Sequence, residues 1–285
     1  MAVSGWGSTV FVVPLSGGPP RELRGFSAEV WMRAIAFSPD GRRVAAAALD
    51  GPAEHKVIQI WDLEDGGEHT LGPLPGAGDD LAGGVESLQF VDDDRLVSSG
   101  TSGVHLFDRR AGGHRPLSHR PGRGMAVDRG NEAVFALLGE PEEIVRLGLD
   151  GAEPTRIAPC VGCTSLAADP TGTLVATGGT DGVVRIVSAS GGEPHLFFGR
   201  ATPAGQMVAF SPDGRWVASS GERDHVRLWP VPDVTRTPFH RRSHEEVLAT
   251  LRSWTNLRAV KDPQSPTGWK LEPGPFPGWE GVPRW

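Results

Sequence analysis

The stretch that decides the fold is AIAFSPDGRRVAAA at residues 34–47, a turn tetrapeptide between two short apolar runs. It returns almost unchanged as MVAFSPDGRWVASS at residues 207–220, and a further apolar run ending in tryptophan follows each copy, VIQIW at 57–61 and VRLW at 226–229. Ser-Pro-Asp-Gly places proline where the turn needs a φ of about −65° and glycine where a positive φ is needed. Flanking runs rich in Val, Ile, Ala and Phe are typical of buried strands. The pattern predicts three antiparallel strands of a small sheet.

This unit recurs along the chain. Five copies of the turn, 37 to 53 residues apart, begin at Phe37, Phe90, Val127, Ala168 and Phe210. Six copies of the third strand are assigned, with the last position of each at Val13, Trp61, Phe107, Gly148, Val187 and Trp229. A repeat of about 40–45 residues with four short strands is the period of a propeller blade. The sequence therefore predicts an all-β protein, a β-propeller of four-stranded antiparallel blades.

The predicted number of blades is not a whole number. Five full blades are predicted, at residues 32–72, 85–118, 123–157, 163–198 and 205–239. Before them come only a third strand at 9–13 and a fourth at 21–23, which make a partial blade. Because a ring removes its strand edges only by closing, we expect a fragment of a larger ring that is incomplete at the N-terminus. The blade at 123–157, with Gly148 where tryptophan belongs, is predicted to be the least regular.

A change of composition at His240 predicts two domains, the propeller at 1–240 and a tail at 241–285. Ser243 and Glu246 have the spacing of a capping box. Apolar residues at helical spacing follow it, at Val247, Leu248, Leu251 and Trp254. Beyond this short helix the tail is rich in Pro, Gly and Trp. Its segments 257–260 and 268–271 offer an alternative in which a hairpin fills the gap in the ring.

The repeats resemble the WD-repeat (WD40) β-propeller family over residues 8 to 240. The resemblance rests on Trp61-Asp62, Phe107-Asp108, the run VRLW at 226–229 and the run GTDGVVRI at 179–186. Asp181 is the best match to the turn aspartate of the family. No copy has the Gly-His pair that precedes the first strand in the family, so its His–Ser/Thr–Asp–Trp hydrogen-bond network is expected to be missing from most blades. Trp61, Asp62, Phe107, Asp108, Asp181 and Trp229 are thereby assigned structural positions in the blades.

The end of the chain, SPTGWKLEPGPFPGW at 265–279, resembles the C-termini of large bacterial proteins in which a WD-repeat propeller follows a Ser/Thr kinase or another signalling module. The resemblance implies a role in bacterial signalling and an upstream domain on the same polypeptide. The sequence itself has no Gly-rich phosphate loop, no His-Arg-Asp loop and no Asp-Phe-Gly motif.

Composition limits the location and the partners. With 38% hydrophobic residues the chain can bury a core, and its 39 glycines and 25 prolines suit many tight turns. Two cysteines make no disulfide framework, no apolar run approaches the roughly 20 residues of a membrane helix, and the N-terminus lacks the pattern of a signal peptide. These features predict a cytoplasmic protein. The net charge of −7 argues against nucleic acid as a partner.

Candidate chemical sites are few. Cys160 and Cys163 have the spacing of half a zinc site or a redox pair, but no second ligand pair accompanies them, so a structural role is favoured and a regulatory disulfide stays open. Asp79-Asp80 and the run Asp92–Asp94 are assigned to turns, where aspartate bonds to the local backbone. No metal and no cofactor are predicted.

The predicted function is recognition of protein partners by a non-catalytic scaffold. Loops that enter each first strand carry aromatic and arginine side chains, the usual composition of an interaction hot spot: Trp31, Arg33, Arg120, Arg123 and Arg200. The alternative is a propeller enzyme, a hydrolase or a lyase, with its active site at the central channel. The innermost strands are apolar, which favours binding. The sequence leaves four points open. These are whether the chain is a truncated, non-functional reading frame, which partner it binds, how many blades the ring has, and its oligomeric state.

Overall fold

The computed structural model describes residues 1–3, 9–26, 32–48, 57–72, 84–128, 130, 132–199, 206–220, 225–254 and 257–273. The chain divides into two compact units, Met1–Val234 and Thr235–Trp285. Asp79-Asp80, Trp31 and Arg200, all singled out in the sequence, lie outside the described residues.

The first unit consists of six antiparallel sheets in chain order. Sheet 1 contains β1 (Ala2–Val3), β2 (Thr9–Val12) and β3 (Arg21–Arg24); sheet 2 contains β4 (Met32–Phe37), β5 (Arg43–Ala48), β6 (Ile58–Asp62) and β7 (Glu68–Leu71). Sheet 3 contains β8 (Val85–Phe90), β9 (Arg95–Gly100), β10 (Gly103–Asp108) and β11 (Gly113–Ser118). Sheet 4 contains β12 (Gly122–Asp128), β13 (Ala133–Leu138), β14 (Glu143–Gly148) and β15 (Thr155–Pro159). Sheet 5 contains β16 (Cys163–Ala168), β17 (Leu174–Gly179), β18 (Val183–Ser188) and β19 (His195–Phe198), and sheet 6 contains β20 (Val208–Phe210), β21 (Trp216–Ser220) and β22 (Val226–Pro230).

Each sheet pairs its strands in the order of the sequence, with the first strand at one edge. The first strands of neighbouring sheets contact one another from β4 through β8, β12 and β16 to β20. First strands therefore lie on the inner side, as in propeller blades, and the predicted all-β fold of four-stranded antiparallel sheets is confirmed.

The Ser-Pro-Asp-Gly turns form the same hydrogen bonds at both sites. The Ser38 hydroxyl donates to Asp40 Oδ1 at 2.5 Å and accepts from the backbone N–H of Arg43 at 2.9 Å. Ser211 repeats this arrangement with Asp213 and Trp216, at 2.5 and 3.0 Å. Gly41 has a φ of +72°, so the glycine of the turn does occupy the left-handed region that the sequence predicts.

The hydrophobic core is divided into five clusters, each between two consecutive sheets. Between sheets 2 and 3, for example, Ile58 and Ile60 pack with Phe90, Leu96 and Phe107. The other four clusters join sheets 1 and 2, 3 and 4, 4 and 5, and 5 and 6 in the same way. Most of the favourable burial is therefore between neighbouring sheets.

The two terminal sheets differ from the prediction. Sheet 1 has one strand more than predicted. Ala2 and Val3 pair with Val12 and Phe11, although no strand was expected before Thr9. Sheet 6 ends at its third strand, because the described residues 231–243 contain no strand, whereas a fourth was expected there. The six sheets hold 22 described strands, the predicted number, in a different distribution.

Sheet 4 corrects two expectations about the blade at 123–157. Val134 pairs with Leu147, as Val44 pairs with Trp61 in sheet 2, so Leu147 and not Gly148 holds the position of the tryptophan. Sheet 4 also has four paired strands, with register shifts between Gly122 and Gly124 and between Ile144 and Val145. Sheet 3 has as many register shifts among the described residues, so sheet 4 is not the least regular of the sheets. A side chain at Gly148 would meet Asp150 Oδ1 at 2.5 Å, so the turn that follows β14 takes up the space beside it.

The six structural blade positions have definite local roles. Trp61 and Phe107 are buried between sheets, and the indole N–H of Trp61 donates to the carbonyl of Arg24 at 3.2 Å. Half-buried Trp229 donates to the Ser219 hydroxyl at 2.9 Å. Asp62, Asp108 and Asp181 each accept hydrogen bonds from backbone N–H groups two residues further along the chain.

The second unit begins its helix where the capping box predicts. Ser243 Oγ accepts from the N–H of Glu246 at 3.3 Å, and Glu246 Oε2 accepts from the N–H of Ser243 at 2.8 Å, at the start of α1 (His244–Trp254). The hairpin that the sequence offered as an alternative is present, as β23 (Leu257–Lys261) paired with β24 (Trp269–Pro273). No helix among the described residues is long and apolar enough to span a bilayer.

Candidate partner-binding face

Strand direction brings two kinds of loop together. Successive antiparallel strands alternate in direction, so the turn between strands two and three lies at the same end of a sheet as the segment that enters the next first strand. In sheets 4 and 5 these segments are the β11–β12 connection at 119–121, the β13–β14 turn at 139–142 and the β15–β16 connection at 160–162. We call this end the loop face.

A cavity of about 210 Å³ opens on the loop face between sheets 4 and 5. Ten described residues line it: Pro121, Arg123, Leu137, Leu138, Gly139, Glu140, Glu142, Glu143, Cys160 and Cys163. Its inner wall is buried and apolar, formed by the two leucines and the two sulfur atoms, whereas Arg123 and Glu140 are exposed at its rim. An apolar interior with a charged rim is the ordinary construction of a small binding pocket.

An ion-pair clamp fixes one side of this cavity. Buried Glu143 pairs with Arg120 at 2.6 Å and with Arg156 at 2.7 Å. Arg120 also donates to the carbonyl oxygens of Gly139 and Pro141, at 3.0 and 2.6 Å. These contacts neutralise the buried carboxylate and hold the β13–β14 turn, so the guanidinium of Arg120 is used within the fold.

Glu142 fixes the opposite side. Its backbone carbonyl accepts from the N–H of Cys160 at 3.0 Å, and its Oε2 accepts from the N–H of Gly162 at 2.7 Å. Gly162 has a φ of +72°, a conformation that glycine adopts without steric cost. The β13–β14 turn and the 160–162 connection are thereby joined across the cavity.

Cys160 and Cys163 form a disulfide in the wall of the cavity. Both residues are buried, and their sulfur atoms lie 3.3 and 3.5 Å from the hydroxyl oxygen of Thr177. The described residues contain no group of three His, Cys, Asp or Glu side chains arranged to hold a metal ion.

The sequence nominated five residues for partner binding, and the structure describes the side chains of two. Arg120 serves the clamp, and Arg123 is exposed at the cavity rim without an ion pair to any described residue. Arg33 lies in β4, and Trp31 and Arg200 fall outside the described residues. Sequence reasoning missed Glu140, Glu142 and Glu143. The signal for them is three glutamates within four residues, in the turn between strands two and three and at the start of the third strand, and all three line the cavity with Arg123.

Two aspartates away from the cavity, Asp92 and Asp181, serve turns. Burial raises the pKa of Asp92, but hydrogen bonds from the N–H of Asp94 and from Arg95 outweigh it, so the pKa is lower than usual. Burial likewise acts against ionisation of Asp181, whose pKa is nevertheless lowered by Arg185 and by the N–H of Val183. The assignment of the run Asp92–Asp94 to a turn is thus confirmed.

A second cavity, of about 390 Å³, lies among the first strands β4 and β8 and reaches Met207. Glu86 is the one titratable residue among its described lining residues, and it was missed because the innermost strands were described as apolar. Hydrolysis by paired carboxylates requires two such groups facing one bond. The described lining does not supply that pair.

Comparison with known families gives matches in three stretches. The family model described as WD domain, G-beta repeat matches residues 17–62, 155–188 and 207–230. The first stretch contains β3–β6 and the second β15–β18, so each begins at the last strand of one sheet and ends at the third strand of the next. No curated protein matches the chain. Together with the four-stranded antiparallel sheets, the three stretches support a WD-repeat protein.

Proposed function

We propose that this chain is a non-catalytic scaffold that binds protein partners on the loop face, in the cytoplasm. WD repeats typically serve protein–protein interaction, and the rigid sheets beneath the loops hold their conformation without a partner. The observation that carries the proposal is the cavity between sheets 4 and 5, with its apolar wall and exposed rim charges.

The cavity suggests how a partner is held. A volume of about 210 Å³ suits one apolar side chain, inserted against Leu137, Leu138 and the disulfide. Arg123 and Glu140 are then placed to form polar contacts with the groups that flank this side chain. A buried anchor surrounded by polar contacts is the usual arrangement of a hot spot.

The test compares two exposed arginines at opposite ends of the sheets. The full chain would carry a photo-crosslinking residue in place of Arg123 or, as the matched control, in place of Arg215 in the β20–β21 turn. We expect cross-linked partners at position 123, and we expect Leu138→Glu, which places a charge in the cavity wall, to abolish them. Equal cross-linking at both positions, or an unchanged pattern with Leu138→Glu in a folded variant, would contradict the proposal.

The resemblance of the tail supports a more specific context. We propose that the scaffold serves a bacterial signalling protein in which a Ser/Thr kinase module uses the loop face to select its targets. Reading the genomic sequence upstream of the codon for Met1 tests this context: an in-frame kinase module supports it, and an unrelated in-frame domain contradicts it.

A further inference from the structure

The disulfide between Cys160 and Cys163 has two different surroundings. On one side, both cysteines belong to the buried cluster between sheets 4 and 5, and the hydroxyl oxygen of Thr177 lies 3.3 and 3.5 Å from their sulfur atoms. On the other side, both cysteines line the cavity that opens on the loop face. The two residues are only 3% and 4% exposed, so a small molecule reaches the bond through this cavity.

Opening this bond leaves the two sheets joined. The disulfide closes a loop of four residues within one connection, so it links no strands that are distant in the sequence. Buried side chains such as Phe135, Leu166 and Val175 hold sheets 4 and 5 together. Cleavage of the bond is therefore a local change in the wall of the cavity and does not require unfolding.

Thr177 is placed to stabilise a cysteine thiolate. Its side chain is buried, and among the described residues the two sulfur atoms are the recorded partners of its hydroxyl. A disulfide sulfur is a weak acceptor, whereas a thiolate accepts a charge-assisted hydrogen bond. The hydroxyl is therefore better satisfied when the bond opens and one sulfur leaves as a thiolate.

We propose that Cys160 and Cys163 form a reversible redox switch of the loop-face cavity, driven by low-molecular-weight thiols and their disulfides. The consequence for partner binding rests on the function proposed above. In the cytoplasm, the compartment proposed for this chain, lasting disulfides are rare, and those that do form are usually transient and redox-sensing.

The exchange proceeds in two steps. A thiolate of the small molecule bonds to one cysteine sulfur, the bond between the cysteines breaks, and its electron pair leaves on the other sulfur, which then takes up a proton. A second small thiolate attacks the mixed disulfide and releases the remaining cysteine, which is protonated in turn. The protein gains two electrons and two protons, and two small thiols become one small disulfide. Oxidation by that disulfide reverses both steps.

Reduction changes the shape of the cavity wall. Two sulfur atoms in van der Waals contact lie farther apart than two bonded ones, by roughly 1.5 Å. Because the packed cluster and Thr177 fill the space behind the sulfur atoms, the displaced sulfur moves towards the cavity. We therefore expect the oxidised chain to bind its partner and the reduced chain to bind it more weakly.

Alkylation and hydrogen exchange on the full chain test the switch without a partner. Buffers of reduced and oxidised glutathione should convert the bond to two thiols and back, as mass spectrometry after alkylation measures, while circular dichroism stays unchanged. The N–H groups of Cys160 and Gly162 donate to Glu142, and in the reduced chain they should exchange about tenfold faster. The N–H of Gly139, which donates to the carbonyl of Pro121, is the control and should keep its rate. A bond that glutathione cannot reduce in the folded chain, or exchange rates independent of the redox state, would overturn the proposal.

The role of Thr177 has its own test. Thr177→Val should slow reduction by glutathione about tenfold, because the leaving thiolate loses its hydrogen bond. Thr177→Ser keeps a hydroxyl and should restore the wild-type rate. Thermal unfolding establishes that both variants are folded. Equal rates in Thr177→Val and the wild type would contradict this role.

Cross-linking from position 123 separates the switch from the proposed function. We expect cross-linked partners with the oxidised chain and a loss of most of them with the reduced chain. Cys160→Ser with Cys163→Ser, which cannot form the bond, should behave as the reduced chain in both buffers. Equal cross-linking in both redox states would overturn the switch and leave the scaffold function standing. Absence of cross-linking in both states would contradict the scaffold function, and the exchange rates would then decide the switch alone.

Discussion

Among single residues, the glycines of the repeated turn have the clearest physical role. Gly41 and Gly214 have φ values of +72° and +68° after the same Ser-Pro-Asp sequence. No atom lies within 4 Å of the place where a side chain at Gly41 would begin. The cost of any other residue there is therefore a backbone cost, without steric overlap from neighbours.

Gly41→Ala should lower the free energy of unfolding by about 1–2 kcal/mol, because an L residue is strained in the left-handed region. Urea unfolding followed by tryptophan fluorescence measures the change. Gly113→Ala is the matched control, since that site is equally open but its φ is outside the left-handed region. A loss as large at Gly113 as at Gly41 would show that side-chain space, and not φ, decides the effect.

His105 is a buried histidine whose protonated form is disfavoured in the folded protein. It is 3% exposed, and its ring lies 6.0 Å from that of His114. Burial lowers the pKa of His105 and outweighs the hydrogen bond with the carbonyl of Ser102, which raises it; the neighbouring charges of His114 and His119 act in the same direction as burial. Gln59 holds the equivalent position in sheet 2, which shows that a neutral polar side chain fits there.

Replacing His105 with glutamine should therefore reduce acid sensitivity. Because its pKa is lowered in the folded state, the unfolded chain takes up a proton first as the pH falls below about 6.5, and stability decreases. We expect the wild type to lose stability between pH 7 and pH 5 relative to His105→Gln, by at most about 1.4 kcal/mol per pH unit. Urea titrations at several pH values measure this. Exposed His225→Gln, the control, should keep the wild-type slope, and an equal slope in His105→Gln would contradict the assignment.

At this scale the sequence predicts turns better than strand positions. The Ser-Pro-Asp-Gly turns are specified by local backbone chemistry, so their hydrogen bonds were predictable. Gly148 was assigned the tryptophan position because the repeat was counted along the chain. The pairing of Val134 with Leu147 places the tryptophan position one residue earlier than that count, and only the register reveals this.

Among the elements, the 160–162 connection is the one with a covalent constraint. Its disulfide closes a loop of four residues, and loop-closure entropy grows with the logarithm of loop length. The sequence could not decide between a free pair and a bonded pair, because a spacing of three residues is compatible with both.

Cys160→Ala with Cys163→Ala should lower the free energy of unfolding by about 2 kcal/mol, the value that the entropic account gives for so short a loop. Urea unfolding of both proteins, with and without a reductant, measures this. The reductant should destabilise the wild type and leave the double variant unchanged. A wild type that is insensitive to the reductant would show that the bond does not constrain the unfolded chain.

Strands inside the array were easier to predict than those at its ends. The strands of sheets 2–5 lie between two neighbours, and their continuous apolar runs are readable in the sequence. β1 has two residues, too few for any periodicity, and the described residues 231–243, where a fourth strand of sheet 6 was expected, contain no strand. The carboxylates of the cavity were missed for a related reason, because their role depends on which loops meet in space.

Across the first unit as a whole, stability is a property of junctions between sheets. Because each of the five core clusters joins one sheet with the next, the unit resembles a linear array in which a sheet interacts with its nearest neighbours. In such an array, substitutions within one junction should influence each other, and substitutions in distant junctions should not.

Double-mutant cycles test this. Ile60→Val and Phe107→Leu lie in the junction of sheets 2 and 3, so we expect a coupling energy of about 0.5 kcal/mol or more between them. Ile186→Val lies in the junction of sheets 5 and 6, and with Phe107→Leu it should be additive to within about 0.5 kcal/mol. Ile186→Val is chemically the same change as Ile60→Val, and each should cost about 0.5–1.5 kcal/mol alone. Strong coupling between the distant pair would show that the sheets act as one cooperative core, because only a core shared by all the sheets could carry an effect between the two junctions.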